Sequence, residues 1–175
     1  MAWASPGVAH TATSLNNLAS LLQAQGDLAD ARPLYERALA IYEEALGPQH
    51  PYTAQALNNL ASLLQAQGDL AGARPLHERA LAINEKALGP AHPDTAVSLN
   101  NLAELMQTQG DLSGARTLFE RALAILGKTL GPDHSTTKIV AANVAKLLAE
   151  NRRRRRKVGG GRSRRRRSSQ YIEII

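Results

Sequence analysis

Residues 15–56 read LNNLASLLQAQGDLADARPLYERALAIYEEALGPQHPYTAQA, and residues 57–98 repeat this stretch with 34 of 42 positions identical. Residues 99–140 form a looser third copy in the same frame, since Gly26, Gly68 and Gly110 lie 42 residues apart. A partial copy precedes the three, and another follows them as Ala141–Asn151, which reads AANVAKLLAEN. A constant period of this length is the signature of stacked structural repeats.

Each copy predicts two amphipathic α-helices. The first has one apolar stripe at helical spacing, made of Leu15, Leu18, Ala19 and Leu22. The second has another stripe, made of Ala31, Leu34, Tyr35, Ala38, Leu39 and Tyr42. Gly26 ends the first helix, Asp27 caps the second, and Gly47-Pro48 ends it before Pro51 opens the next copy. Because such pairs bury their stripes only by stacking, the sequence predicts an all-α fold.

Two prolines conflict with simple helix boundaries. Pro33 and Pro75 lie six residues after the proposed caps Asp27 and Asp69, where a helical hydrogen bond would be lost. Either these helices begin a few residues later or their first turns are loosened, and the sequence leaves both readings open.

Composition limits the chemistry. The 175 residues contain no cysteine and only 3% aromatic residues, so neither a disulfide framework nor a thiolate metal site is expected. No apolar run reaches the roughly 20 residues that span a bilayer, and Met1–His10 has no secretory pattern. We therefore expect a cytoplasmic protein. The charge divides the chain, because residues 1–150 carry a net −4 and residues 151–175 a net +10.

The quoted motifs identify a family. The pattern LNNLA, QGD, AR and ERALAI followed by LGP-x-HP resembles the 42-residue tetratricopeptide repeats of kinesin light chains and of many bacterial proteins, over residues 6–151. The resemblance implies a right-handed α-solenoid of helix-turn-helix repeats, a concave groove lined by the first helices, and no catalytic activity. Departures are His77 and Phe119 at the position of Tyr35, and Ser135 in place of the HP proline.

We therefore divide the chain into a partial lead-in (1–10), a solenoid of three helical pairs plus a closing helix (11–151), and an Arg-rich tail (152–175) that we expect to be disordered. The resemblance predicts a non-catalytic scaffold that binds a protein or an extended peptide in the groove. Its groove positions here are Asn16, Asn17, Ser20, Gln23, Asn58, Asn59, Ser62, Gln65, Asn100, Asn101, Glu104 and Gln107.

The asparagines give this prediction a physical basis. An Asn side chain offers one acceptor oxygen and two donor hydrogens, so regularly spaced Asn residues can pair with the backbone of an extended peptide. We favour this role for the first Asn of each pair over the second. The alternative is that these amides only brace neighbouring helices or face water. The groove positions hold no Lys or Arg, which argues against a clamp for a C-terminal carboxylate.

Other candidate sites are weak. His50, His92 and His134 recur once per repeat, which holds them too far apart for one metal ion. The string from His77 to Leu81 lacks the second histidine of a zinc-protease helix. We expect no metal, no cofactor and no catalytic residue.

The basic tail has several readings. Its arginines can contact phosphates of nucleic acid or of an anionic surface, serve as a nuclear targeting signal, or have no selected role. The candidate phosphate contacts are Arg152, Arg153, Arg154, Arg155, Arg156, Arg164, Arg165, Arg166 and Arg167. Met1–His10 is only half a repeat, which favours a piece of a longer array, and the uncovered first helix leaves self-association open.

Overall fold

The computed structural model describes residues 6–168, and these residues form helices without any strand. In chain order the helices are α1 (Pro6–Gln25), α2 (Leu28–Leu46), α3 (Pro51–Ala66), α4 (Leu70–Ala87), α5 (Pro93–Thr108), α6 (Leu112–Thr129) and α7 (Ser135–Ser168). The all-α prediction is confirmed. The first helices of the three pairs are α1, α3 and α5, the second helices are α2, α4 and α6, and α7 closes the array.

Glycines and capping side chains set the helix boundaries where the sequence placed them. Gly26 has a φ of 92°, a left-handed conformation that favours glycine, and it separates α1 from α2. The recurring histidines are helix caps, because Nδ1 of His50, His92 and His134 accepts the backbone N–H two residues later, at 3.1–3.2 Å. This capping explains why a histidine returns in each copy.

The aspartates cap the second helices unequally. Asp69 accepts the backbone N–H of Gly72 at 2.8 Å, and Asp111 accepts that of Gly114 at 2.9 Å. A Cβ at position 72 would collide with the Asp69 carboxylate. In the first copy the place of Gly72 is taken by Asp30, and the preceding Asp27 makes no side-chain cap hydrogen bond. The missing cap therefore coincides with the missing glycine.

The two prolines lie inside their helices. α2 begins at Leu28 and α4 at Leu70, directly after the caps, in register with α6, which has Thr117 in place of the proline. The reading in which these helices begin later is therefore wrong. The helix start is fixed by the preceding turn and by burial of Ala31 and Ala73, and the proline removes only one backbone donor.

The array curves toward its first helices. Cα atoms of α1 and α3, of α3 and α5, and of α5 and α7 approach within 8 Å, whereas those of the described second helices do not approach one another to that distance. Salt bridges span the wider separation, since Arg79 pairs with Glu43 at 2.6 Å and Arg121 with Glu85 at 2.7 Å. The first helices thus form the inner layer.

The core consists of small residues and leucines at the interfaces between helices. Ala19, Ala31 and Ala38 are completely buried, as expected for positions of close helix approach. Leu18 departs from its predicted role in the apolar stripe, because it is 48% exposed whereas its counterparts Leu60 and Leu102 are each 7% exposed. Those counterparts pack against the preceding pair, and no described residue takes that place for α1.

The basic segment is helical as far as Ser168, where the sequence analysis predicts disorder. α7 continues through the closing helix as far as Ser168, so residues 152–168 are helical, and residues 169–175 lie outside the described part. Arginine is a good helix former, and the first glycine or proline after α7 begins is Gly159. A salt bridge of 2.7 Å between Arg154 and Glu150 also supports the helical register across this boundary.

His77 is a buried polar exception in the core. It takes the position of Tyr35 and Phe119, is fully buried, and lies with Nδ1 2.8 Å from Asn58 Oδ1. Because that oxygen is an acceptor, Nδ1 carries the proton, and the buried Nε2 has no hydrogen-bond partner. Burial lowers the pKa of His77 from 6.5 to about 4, since the charged ring cannot be solvated there.

We expect Ala38→Leu to destabilise the protein by about 1–3 kcal/mol, because Ala38 packs without space against Ala12, Tyr42 and Ala56. The matched control is Ala40→Leu on the exposed side of the same helix. Urea unfolding followed by circular dichroism measures the difference. Equal midpoints for the two variants would contradict the close approach of these helices.

We also expect His77 to make stability depend on pH. The unfolded chain binds a proton at His77 near pH 6.5 but the folded chain only near pH 4. The contribution of His77 to stability is therefore constant above pH 6.5 and falls by up to about 3 kcal/mol as the pH drops to 4. His77→Tyr restores the residue of the first copy and should remove this loss. Urea unfolding at several pH values compares the slopes, and equal slopes would exclude His77 as their cause.

Candidate partner-binding groove

Three cavities open between successive first helices. The N-terminal pocket, of 450 Å³, is lined by residues that include Thr13, Asn17, Ser20 and Tyr52. The central pocket, of 260 Å³, is lined by residues that include Tyr52, Gln55, Asn59, Asn84, Asp94 and Asn101. The C-terminal pocket, of 380 Å³, is lined by residues that include Gln65, Glu104, Gln107 and Asn143. Together we call these three pockets the groove.

The second asparagine of each pair reaches the groove surface. Asn17 is exposed, Asn59 and Asn101 are half-buried, and all three line a pocket. Asn59 lies between the N-terminal and central pockets and lines both. The repeat therefore presents amides at a regular spacing along the inner layer. These amides belong to the second asparagine of each pair, whereas the sequence analysis favours the first for pairing with a peptide.

The first asparagine of each pair is more deeply buried, although Asn16 and Asn58 also border the N-terminal and central pockets. Asn16, Asn58 and Asn100 are only 6–7% exposed. Asn58 donates to Ser98 Oγ at 3.0 Å, and Asn100 donates to Glu104 at 2.8 Å and accepts from Asn143 at 3.0 Å. The bonds between Asn58 and Ser98 and between Asn143 and Asn100 join neighbouring helices, whereas the bond from Asn100 to Glu104 lies within α5, so Asn58 and Asn100 brace the helical packing.

The remaining predicted groove residues divide between the pockets and internal contacts. Gln65 on α3 donates to Thr108 on α5 at 3.4 Å, and Gln107 on α5 donates to Glu150 on α7 at 2.9 Å. The hydrogen bond from Gln107, followed by that from Arg154, lowers the pKa of Glu150. Ser20 and Glu104 line pockets, Gln23 accepts from the Tyr35 hydroxyl, and Ser62 lies outside the three pockets.

The central pocket contains residues that sequence reasoning missed. Asn84 is 4% exposed and donates to Ser98 Oγ at 3.0 Å and to the Asp94 carbonyl at 3.3 Å, while its Oδ1 has no hydrogen-bond partner. A signal existed in the eight positions at which the first two copies differ. Five of these eight contribute to the central pocket or to its buried floor, namely His77, Asn84, Asp94, Val97 and Ser98.

The chemistry available elsewhere on the chain is limited. No group of three metal-ligating side chains occurs among residues 6–168, and no helix in that range is long and apolar enough to cross a membrane. Arg152, Arg153, Arg154 and Arg156 are exposed on α7, and Arg155 and Arg164–Arg167 lie within the same helix.

Comparison with known proteins agrees with this architecture. The tetratricopeptide repeat family profile matches residues 10–86 and again residues 52–128. No curated protein sequence matches the chain. A kinesin-light-chain-type protein of Podosopora anserina with nearly identical TPR-like repeats is 29% identical, with a TM-score of 0.75, over 84% of this chain and 69% of that chain.

Two more distant structures share the fold alone. BtubC (BKLC) from P. vanneervenii is 23% identical, with a TM-score of 0.69, over 94% of this chain and 66% of that chain. The N-terminal domain of stress-induced protein-1 from C. elegans is 19% identical, with a TM-score of 0.56, over 82% of this chain and 99% of that chain. The chain belongs to the tetratricopeptide repeat family and is similar to its kinesin-light-chain-like members.

Proposed function

We propose that this protein is a non-catalytic scaffold that binds an extended peptide segment of a partner protein in the groove. The observation that carries the proposal is the row of three polar pockets between successive first helices, in register with the repeat. A groove with this periodicity suits a ligand that is itself periodic. An extended backbone, with its alternating donors and acceptors, is such a ligand.

The amides that face the groove support this mode. Asn17, Asn59 and Asn101 line the pockets and make few hydrogen bonds within the protein, so their donors and acceptors remain available to a ligand. Backbone pairing provides affinity with little sequence preference, and the pockets between the amides provide the preference. The typical role of the family, protein–protein interaction, agrees with this proposal.

We expect the double variant Asn59→Ala, Asn101→Ala to weaken peptide binding roughly 5- to 150-fold, since each lost hydrogen bond contributes roughly 0.5–1.5 kcal/mol. Peptides selected from a random display library on the full chain would serve as probes, with fluorescence anisotropy as the readout. Asn58 is unsuitable for this test because its removal would leave Nδ1 of the buried His77 without a hydrogen bond, and Asn100 because its removal would break a link between α5 and α7.

The matched control removes two amides outside the groove, with Gln25→Ala and Gln49→Ala, both at exposed positions. We expect this control to bind like the unaltered chain. Equal affinities for the groove variant and the control, with both folded by circular dichroism, would contradict groove binding.

A second candidate function rests on the basic segment. The exposed Arg152, Arg153, Arg154 and Arg156 follow one another on α7, which concentrates positive charge along one end of the array. We propose as an alternative that this segment binds the phosphates of nucleic acid or an anionic surface. Such binding releases counterions and weakens steeply with salt.

If about eight phosphates are neutralised, the logarithm of affinity for duplex DNA should fall with the logarithm of salt concentration at a slope of roughly −7. Replacing the arginines at 152–156 by glutamine should flatten this slope by about four to five. Filter binding over a salt series measures both values. A slope that is unchanged by the replacement would exclude the basic segment as the contact.

A further inference from the structure

The central pocket differs from its neighbours in charge and in polarity. Asp94 is its one charged lining residue among those described, and no Lys, Arg or His lines it. The first copy has Tyr52 at this repeat position and the third copy has Thr136, so the carboxylate occurs once among the three copies. The pocket therefore presents a negative charge that the repeat pattern itself does not require.

The carboxylate is not neutralised by a basic side chain of the protein. His92 lies next to it, with Nδ1 3.7 Å from Asp94 Oδ2. That nitrogen already accepts the backbone N–H of Asp94 at 3.1 Å, so its lone pair, rather than a proton, faces this residue. The Asp94 side chain is also 65% exposed, which leaves it accessible from the groove.

The pocket lining contains one unused buried acceptor. Asn84 lines the pocket while its Oδ1 lacks a hydrogen-bond partner. Leaving buried acceptors unpaired destabilises a fold. The first copy has Tyr42 in place of Asn84, and that tyrosine bonds Thr13 through its hydroxyl at 2.9 Å. The second copy thus has an unsatisfied group at the repeat position where the first copy has a satisfied one.

The opposite wall supplies an aromatic face. Tyr52 is 53% exposed and lines the pocket, and its ring stacks on Tyr42 with centroids 5.8 Å apart, which fixes its orientation. A positioned tyrosine ring attracts cations through its quadrupole. A carboxylate, a tyrosine face and amide oxygens together form an environment that stabilises a positive charge and repels an anion.

We propose that the central pocket binds the cationic side chain of a lysine or arginine in the partner peptide. The inference rests on the proposed groove function and adds the charge of the ligand. The pocket is asymmetric within a nearly symmetric array, so one cation in this pocket fixes the position of an otherwise sequence-tolerant peptide along the groove.

The test uses the full chain labelled with ¹⁵N and two short glycine-serine peptides, capped at both ends. One carries a single central arginine and the other a glutamine at the same place. Chemical shifts of the side-chain amides of Asn59, Asn84 and Asn101 report binding at the pocket. We expect the arginine peptide to bind about fivefold more tightly than the glutamine peptide, as for an exposed ion pair.

Two variants with equal changes in net charge separate a local contact from long-range attraction. Asp94→Asn should abolish the preference for arginine, whereas Asp30→Asn, on the exposed surface of α2 outside the groove, should retain it. The backbone resonances in the same spectra verify that both variants remain folded.

The outcomes distinguish the two proposals. Equal binding of both peptides, or equal loss of preference in both variants, would overturn the cation pocket while leaving groove binding intact. If neither peptide shifts any groove amide, the proposed groove function itself fails.

Discussion

The burial of each apolar stripe against the next helical pair is the interaction on which the whole molecule depends. A single pair exposes one side of its stripe, and only a neighbour can cover it. Leu60 and Leu102 are covered by the pair before them, whereas Leu18 at the same repeat position is largely exposed. Completely buried alanines such as Ala19 and Ala38 let the helices approach closely enough for this burial.

Stacking in turn decides where polar groups can lie. Once the apolar stripes face neighbouring helices, the polar faces of α1, α3 and α5 lie side by side on the inner layer. Some of these groups satisfy one another, as Gln107 and Glu150 do, and the rest line the pockets. The groove therefore follows from core packing, and its polarity is a consequence of the same amphipathic pattern that forms the core.

The central pocket shows how a repeat array can acquire specificity. Most differences between the first two copies are confined to one junction, where His77, Asn84 and Ser98 replace two tyrosines and an alanine. The substitutions leave the helices in register but introduce buried polar atoms without partners. A stable solenoid tolerates this local loss because each pair contributes its own interfaces with its neighbours.

The sequence by itself determined the repeat unit, the helix order and most boundaries, because turn glycines, caps and apolar periodicity are local properties of the chain. It also identified both asparagines of each pair. It could not decide how deeply each one is buried, since Asn58 and Asn59 are adjacent, both border the central pocket, and their exposure depends on how α3 packs against α4 and α5. The partnership of His77, Asn84 and Ser98 likewise joins residues from two helical pairs, since the first two lie on α4 and the third on α5. Only the tertiary structure brought them together, because side-chain contacts across a helical interface depend on packing geometry that no local pattern encodes.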